Sequence, residues 1–278
     1  MNTNVPRILS IVVTYYPDNE LLRRNIGAFI NDVDKILIWE NTPVAKKYQY
    51  RSIKDEKIEY CGNGINSISC ALNYAWRYAR EFGYNYLLTM DQDSQWENFH
   101  DYINQTINNP SVFGGIWGPE AYGNKPKEII ESERIITSGM LLSVELINRI
   151  GGWNETFSVD CVDDDFCLRA KIKGIKTYIL GMCRLRQQYG TPRRVSFLGR
   201  HAMINYDSPK RLYSIYKSHV ILIRLYPGNK NLKSEFRSHW ISLIKWTVVF
   251  GNKPVNNLIA IIRGIFVGLF VSLKNIKK

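Results

Sequence analysis

The chain has 278 residues, enough for one large domain or two modest ones, and its 45% hydrophobic and 22% charged residues exclude a disordered or low-complexity protein. Its five cysteines, at 61, 70, 161, 167 and 183, are odd in number, form no CxxC pair and follow no cleavable leader, so free thiols in a reducing compartment are expected and a disulfide scaffold is not. The net charge of +12 is unevenly spread: residues 184–278 hold 18 Lys and Arg against Asp207 and Glu235, while residues 1–183 hold 19 bases and 23 acids. That split predicts two regions with different partners, the basic one facing nucleic acid, anionic lipid or a pyrophosphate.

Taken in chain order, ILSIVVTYY (8–16) is β-branched and aromatic and stops at Pro17-Asp18, so it reads as a first core strand. Leu21, Leu22, Ile26, Phe29 and Ile30 follow at helical spacing. KILIWE (35–40) and KIEYC (57–61) are further strands, and Ile68, Leu72, Ala75, Ala79 and Phe82 predict a helix ended by Gly83. YNYLLTM (84–90) is the fourth strand. This βαβαβ order predicts an α/β fold, a mainly parallel sheet flanked by helices, with ligands gathering outside the carboxyl ends of the strands.

After Cys183 the pattern changes. RLRQQYGTPRRVSFLGRH has turn residues and arginines without a clear period and reads as a loop; a helical pattern resumes near Ser208. The boundary is placed at 205, with residues 206–278 as a basic, apolar helical extension. Within it, LIAIIRGIFVGLFVSL (258–273) is 16 residues long and contains Arg263, short of the roughly 20 apolar residues a spanning helix needs. Lys245, Lys253, Lys274, Lys277 and Lys278 around it suit a helix lying on an anionic membrane surface, the alternatives being a buried helix or an interface.

Chemistry concentrates in two acidic clusters. Asp91-Gln92-Asp93 stands directly behind the fourth strand; a solvated turn is the plainest account of it, and a cation held at the strand end is the more specific one. Asp160, Asp163, Asp164 and Asp165 crowd four carboxylates into six residues beside Phe157, Val159, Phe166 and Leu168, where a helix opening would place acids in a first turn. GNGINS (62–67) imitates a dinucleotide fingerprint but has Ser67 where the third glycine belongs and no acid free to bind a ribose about 20 residues on, Glu81 lying on the helix and Asp91 belonging to the acidic pair, so a nicotinamide or flavin enzyme is disfavoured. There is no GxSxG elbow, no Walker loop and no zinc spacing among His100, His201, His219 and His239. No nucleic-acid motif accompanies the basic region.

VVTYYPD, IWENTP, MDQDS and ITSGMLLS…IGGWNETFSVDCVDDDFCLRAKIKGIK (136–176), in this order, resemble the family 2 glycosyltransferases, above all a rhamnosyltransferase-like subgroup, and SPKRLYSIYKS (208–218) extends the resemblance weakly. The resemblance implies the nucleotide-diphosphosugar transferase (GT-A-like) fold and an inverting, metal-dependent hexosyltransferase. Asp93 would hold Mg2+ or Mn2+, with Asp91 sharing the metal or binding the ribose side. Thr14, Tyr15, Glu40 and Asn66 would line the donor pocket, and Arg169 would bind donor or hold the acidic cluster. Ser138, Gly139 and Trp153 would form the acceptor side, Trp153 offering either a flat face to a sugar or ordinary packing. Asp163 would be the base, with Asp165 as second candidate.

Departures from the family pattern are Glu40 in place of Asp, Asp165-Phe166 in place of Glu-Trp, and Gln187 near the position of a metal-binding histidine, for which the basic stretch Arg184 to Arg194 is the alternative at the diphosphate. The implied partners are a nucleoside diphosphate sugar, a glycan or glycolipid acceptor and an anionic membrane surface, but no nucleic acid; the implied place is the cytoplasmic, inner face of the cell membrane. A non-catalytic glycosyltransferase-like subunit and a nucleic-acid binder are the competing readings.

Overall fold

The computed structural model describes residues 5–47, 51–108, 114–121, 123, 128–187, 193–197, 200–204, 208–250, 253–274 and 276. The chain forms two compact units, Met1–Gln188 and Tyr189–Lys278.

In the first unit, β1 (Ile8–Thr14) is buried at every position, which explains why it reads as a continuous apolar run rather than an alternation. Asp18 then caps α1 (Asn19–Gly27), its carboxylate accepting from the N–H groups of Glu20 and Leu21 at 2.9 Å each. β2 (Lys35–Glu40), the short α2 (Val44–Lys47) and β3 (Ile58–Cys61) follow. Ser67 caps α3 (Ile68–Glu81), whose buried Leu72, Ala75 and Ala79 recur at the predicted spacing, and Gly83 beyond it takes a φ of +69°. β4 (Tyr86–Asp91) returns parallel to β1.

β5 (Ser94–Trp96), α4 (Phe99–Thr106), β6 (Ile116–Glu120), β7 (Ile129–Ser132), β8 (Met140–Ser143), α5 (Val144–Ile150), α6 (Val162–Ile172) and β9 (Thr177–Gln187) complete the unit. The strand order is β3-β2-β1-β4-β8-β6-β9-β5, with β7 also on β9. The first four strands are mutually parallel, as expected. β8 then runs antiparallel to β4 and β6, and β5 and β7 run antiparallel to β9, so the far half is mixed. Val12, Leu88, Met90, Trp96, Tyr102 and Leu141 belong to the core beneath the strand ends. Register matters more than strand count here. Thr14 pairs with Glu40 and Val13 with Asp91, so three of the predicted site residues end their strands at one level.

The predicted loop after Cys183 is a correction. β9 continues to Gln187, and β10 (Arg193–Phe197) and β11 (Arg200–Ile204) form an antiparallel hairpin. Strands this short, interrupted by Gly190 and Pro192, leave no period to read. Residues 188–192 of the basic stretch lie outside the described residues. In the same unit, Ser208 caps α7 (Pro209–Leu225), and α8 (Lys230–Phe250) and α9 (Pro254–Phe270) follow. Leu212, Ile215 and Tyr216 of α7 pack with Ala260 and Ile261 of α9. Arg224 Nη1 donates to the carbonyls of Gly268 and Val271 at 2.7 and 2.8 Å, satisfying acceptors left open at the end of α9. Among the described residues no helix is long and apolar enough to cross a membrane.

Candidate active site

Asp91 ends β4 where β1 and β2 also end. Its N–H donates to Ser138 Oγ at 3.1 Å, and its Oδ2 accepts from Gln187 Nε2 at 3.0 Å. Burial, the neighbouring Asp93 carboxylate and, against them, the Gln187 amide set its titration, and the carboxyl is pushed up to about 7. Burial also pushes Asp93 upward. Gln187 Oε1 is buried without a hydrogen-bond partner among the described residues.

Two crowded carboxylates and an orphaned neutral oxygen are a donor set suited to a hard divalent cation. No cluster of three His, Cys, Asp or Glu able to hold a metal is found among the described residues, so a neutral oxygen would have to complete the protein's share.

Gln92, between the two aspartates, was not among the expected site residues. Its Oε1 accepts from Tyr15 N–H at 2.7 Å and its Nε2 donates to Tyr15 O at 3.2 Å, while its own carbonyl accepts from Asn25 Nδ2 at 2.9 Å. The pattern copies one rung of a β-ladder and ties the acidic turn to the end of β1. Thr14 is buried, its hydroxyl donating to Trp39 O at 3.1 Å, so it braces β1 against β2. Tyr15 is exposed beside Tyr16, which takes a φ of +47° and donates its N–H to Thr42 Oγ1 at 2.8 Å. Asn66 is exposed and Asn41 Nδ2 donates to its Oδ1 at 3.3 Å, so it stays near the end of β2.

Glu40 differs from expectation. Its carboxylate is buried and gripped by Arg51, whose Nε lies 3.1 Å from both oxygens. It therefore holds Arg51 rather than offering a free acceptor to a nucleoside.

The second acidic cluster opens α6. Cys161 precedes it with a φ of +64°, a conformation that non-glycine residues rarely adopt and that clusters at functional sites. The turn it makes presents Asp163, which is half-buried and pushed up to about 7 by burial first, then by Asp164, with a smaller contribution from Asp91. The Asp91 charge at the strand end thus reaches the α6 base candidate. Arg134 pairs with Asp164 at 2.7 Å and offsets part of the charge.

Three expected roles are corrected. Asp165 is wholly buried and ion-paired with the equally buried Arg169, Nε to Oδ2 at 2.8 Å, while Arg169 Nη1 donates to Ile150 O at 3.2 Å. Neither reaches solvent, so Asp165 is not available as a base nor Arg169 to a donor; the pair joins α6 to α5. Trp153 is buried, its ring stacked on Phe166 with centroids 4.5 Å apart, so it packs rather than faces a sugar. Gly152 before it has a φ of +74°, and a Cβ there would lie 2.4 Å from Trp76 Cζ3. Ser138 is buried and serves Asp91. Gly139 has a φ of +81°, and a Cβ there would lie 2.6 Å from Pro119 Cγ; it lets the chain pass close to β6.

Asp165→Ala is expected to destabilise the protein by about 3–5 kcal/mol, read from denaturant unfolding, because it strands a buried guanidinium. The raised Asp91 and Asp163 give a second expectation. In a folded state with carboxyls near 7 against 3.8 unfolded, their stabilising contribution is full below pH about 4 and is lost as pH rises through about 7. The metal-free melting temperature should therefore fall between about pH 4 and 7, and Asp91→Asn should flatten that slope in a calorimetric pH series.

The fold is of the GT-A type, a mixed α/β sheet flanked by helices with an acidic strand end. No family model matches the chain. A curated relative, the dTDP-rhamnosyl transferase RfbF of Shigella flexneri, is 25% identical over 281 residues, covering 91% of this chain and 90% of that one. The rhamnosyltransferase-like resemblance of the motifs thus extends over nearly the whole sequence.

Two solved structures share the fold. The mannosyltransferase PcManGT from Pyrobaculum calidifontis, in complex with GDP-Man and Mn2+, matches with a TM-score of 0.57 and 12% identity over 95% of this chain and 74% of its own. GalNAc-T7 with UDP, GalNAc and Mn2+ matches with a TM-score of 0.58 and 10% identity over 80% of this chain, which spans 48% of that protein's chain.

Proposed function

We propose that the protein is an inverting family 2 glycosyltransferase. It moves one sugar, rhamnose by analogy with its curated relative, from a nucleoside diphosphate donor to a growing and lipid-linked glycan at the cytoplasmic face of the membrane. The observation that carries the reading is the pair Asp91 and Asp93 at the end of β4, with Asp163 at the opening of α6 within reach of the Asp91 charge. The two structural neighbours were solved with a nucleotide or nucleotide sugar and Mn2+, which supports a nucleotide donor and a divalent cation on this fold.

Asp91, Asp93 and the Gln187 amide oxygen would hold Mg2+ or Mn2+, which when bound supplies positive charge against the departing diphosphate. The chain does the rest. Tyr15, fixed by Gln92, walls the donor side with Thr14 and Asn66 behind it. Asp163 accepts the proton of the acceptor hydroxyl as its oxygen bonds the anomeric carbon and the bond from that carbon to the diphosphate breaks on the opposite face. A carboxylate held near 7 is a stronger base than an ordinary one and is still ionised in useful proportion at neutral pH. Inversion follows from a single displacement.

Thermal melting against a panel of nucleoside diphosphates and nucleotide sugars, with and without Mn2+, tests the reading. A metal-dependent rise in melting point with one nucleotide is expected, since binding to the folded state stabilises it by mass action. No rise with any of them overturns it in favour of a non-catalytic subunit.

A further inference from the structure

Helix α9 is built inside out. Its small and polar residues, Asn257, Ala260, Gly264 and Gly268, are buried. A Cβ at Gly264 would lie 2.6 Å from the Tyr213 carbonyl oxygen and one at Gly268 would lie 2.8 Å from Val220 Cβ, so α7 and α9 approach through their backbones. Apart from the buried Ile261 and the partly buried Ile265, the large apolar side chains point the other way. Val255, Ile259, Ile262, Phe266, Leu269 and Phe270 are 50 to 71% exposed. They recur at three-, four- and seven-residue intervals, which places them along one side of a helix. A water-facing helix carries the opposite pattern, and a contiguous apolar stripe of this kind marks a surface meant to be covered.

Charge decides what covers it. From Ser208 to the end the chain carries 13 Lys and Arg against Glu235 alone, and α9 itself contains no acid. A second copy brought against this face would carry the same excess of positive charge, whereas an anionic bilayer complements both the stripe and its surroundings. Beside the stripe, between the start of α7 and the middle of α9, lies a cleft of about 400 Å3 lined by Lys210, Tyr213, Asn256, Ile259 and Arg263. Both cations are exposed. Both belong to the second compact unit, whereas Asp91 and Asp93 belong to the first.

We infer that α9 is an in-plane membrane anchor whose apolar stripe enters the acyl boundary of an anionic bilayer, while Lys210 and Arg263 take a lipid phosphate in the cleft beside it. Seventeen residues of helix measure about 25 Å, and with Arg263 at mid-helix the element lies on the membrane rather than through it. The inference is independent of the reaction: it names the surface and the lipid chemistry, and stands or falls without the donor.

The test is flotation of the purified full chain with vesicles of phosphatidylcholine alone or mixed with phosphatidylglycerol. The protein is expected to float with the mixed vesicles only. The double variant Ile262→Ser, Phe266→Ser should bind about 100-fold more weakly. The double variant Lys210→Glu, Arg263→Glu should lose about 10- to 100-fold on mixed vesicles.

All four positions are exposed, and an unchanged melting temperature establishes that each variant folds. Nucleotide-dependent stabilisation, read on the same samples, should not change, which separates failure of this inference from failure of the proposed reaction. Absence of flotation with any vesicle overturns it. So does a wild-type dimer in sedimentation that the Ser variants dissociate, since the stripe would then face a second copy. Inorganic diphosphate binding that the Glu variants abolish while vesicle binding persists would make the cleft a free-anion site instead.

Discussion

Asp163→Asn is expected to lower sugar transfer by about 10²- to 10⁴-fold, the usual contribution of a positioned general base, while leaving nucleotide-induced stabilisation at the wild-type level. The separation of these two readouts is the point of the variant. Asp163 sits at the opening of α6 and is not one of the β4 strand-end carboxylates that would hold the cation, so its loss removes proton transfer without removing a cation ligand. Asparagine keeps the shape, and the carboxamide oxygen can still accept the Asp164 N–H that lies 3.0 Å from Asp163 Oδ1. The pH profile provides a second check. The wild-type rate should rise with pH as Asp163 ionises, on a limb at or below about 7, since a cation neutralising Asp91 removes one of the charges that raise Asp163. The variant should lose that limb. Equal loss of binding and transfer would mean that Asp163 belongs to the donor site instead.

Asp93→Ala has the other large expected effect. Transfer should fall at least about 100-fold, as when a charge-stabilising group is removed from a reacting phosphate or oxyanion, and the metal-dependent part of nucleotide stabilisation should vanish. Stability moves in the opposite direction. Asp93 is one of the groups that raise Asp91, so its removal relieves repulsion at the strand end, and the metal-free protein should melt no lower than wild type at pH 8. A variant that is inactive yet at least as stable as its parent identifies a carboxylate kept for binding a cation rather than for holding the fold.

Much of this was legible in the sequence because the informative signals are local. Strands β1 to β4 follow from β-branched runs stopped by Pro17-Asp18 and by Asn41-Thr42-Pro43, and the parallel order then places Asp91 at a strand end. The helix spacing of Leu72, Ala75 and Ala79 and the glycine after it are also local. What escaped depends on contacts between distant segments. Asp165 and Asp163 are two residues apart and chemically identical; only the burial of Arg169 one turn further on separates an interior ion pair from a base. Glu40 looks like a ligand until Arg51 is found holding it. Trp153 reads equally well as a sugar platform or a core ring, and Phe166 decides. Short strands β6, β7 and β8 pair across gaps in sequence, and β10 and β11, though adjacent, carry no long period, which is why the mixed half of the sheet and the hairpin were not foreseen.

The amide of Gln92 has a thermodynamic consequence. It lies between the two aspartates and holds both the N–H and the carbonyl of Tyr15, so the backbone that would carry a cation and the backbone that would wall a nucleotide are one mechanical piece. Any shift of the acidic turn on cation binding is delivered to the pocket wall, and any shift of the wall returns along the same two hydrogen bonds. Binding free energies at coupled sites are reciprocal. Whatever factor the cation adds to nucleotide affinity, the nucleotide must add to cation affinity, and a side chain that carries no charge sets the stiffness of the link between them.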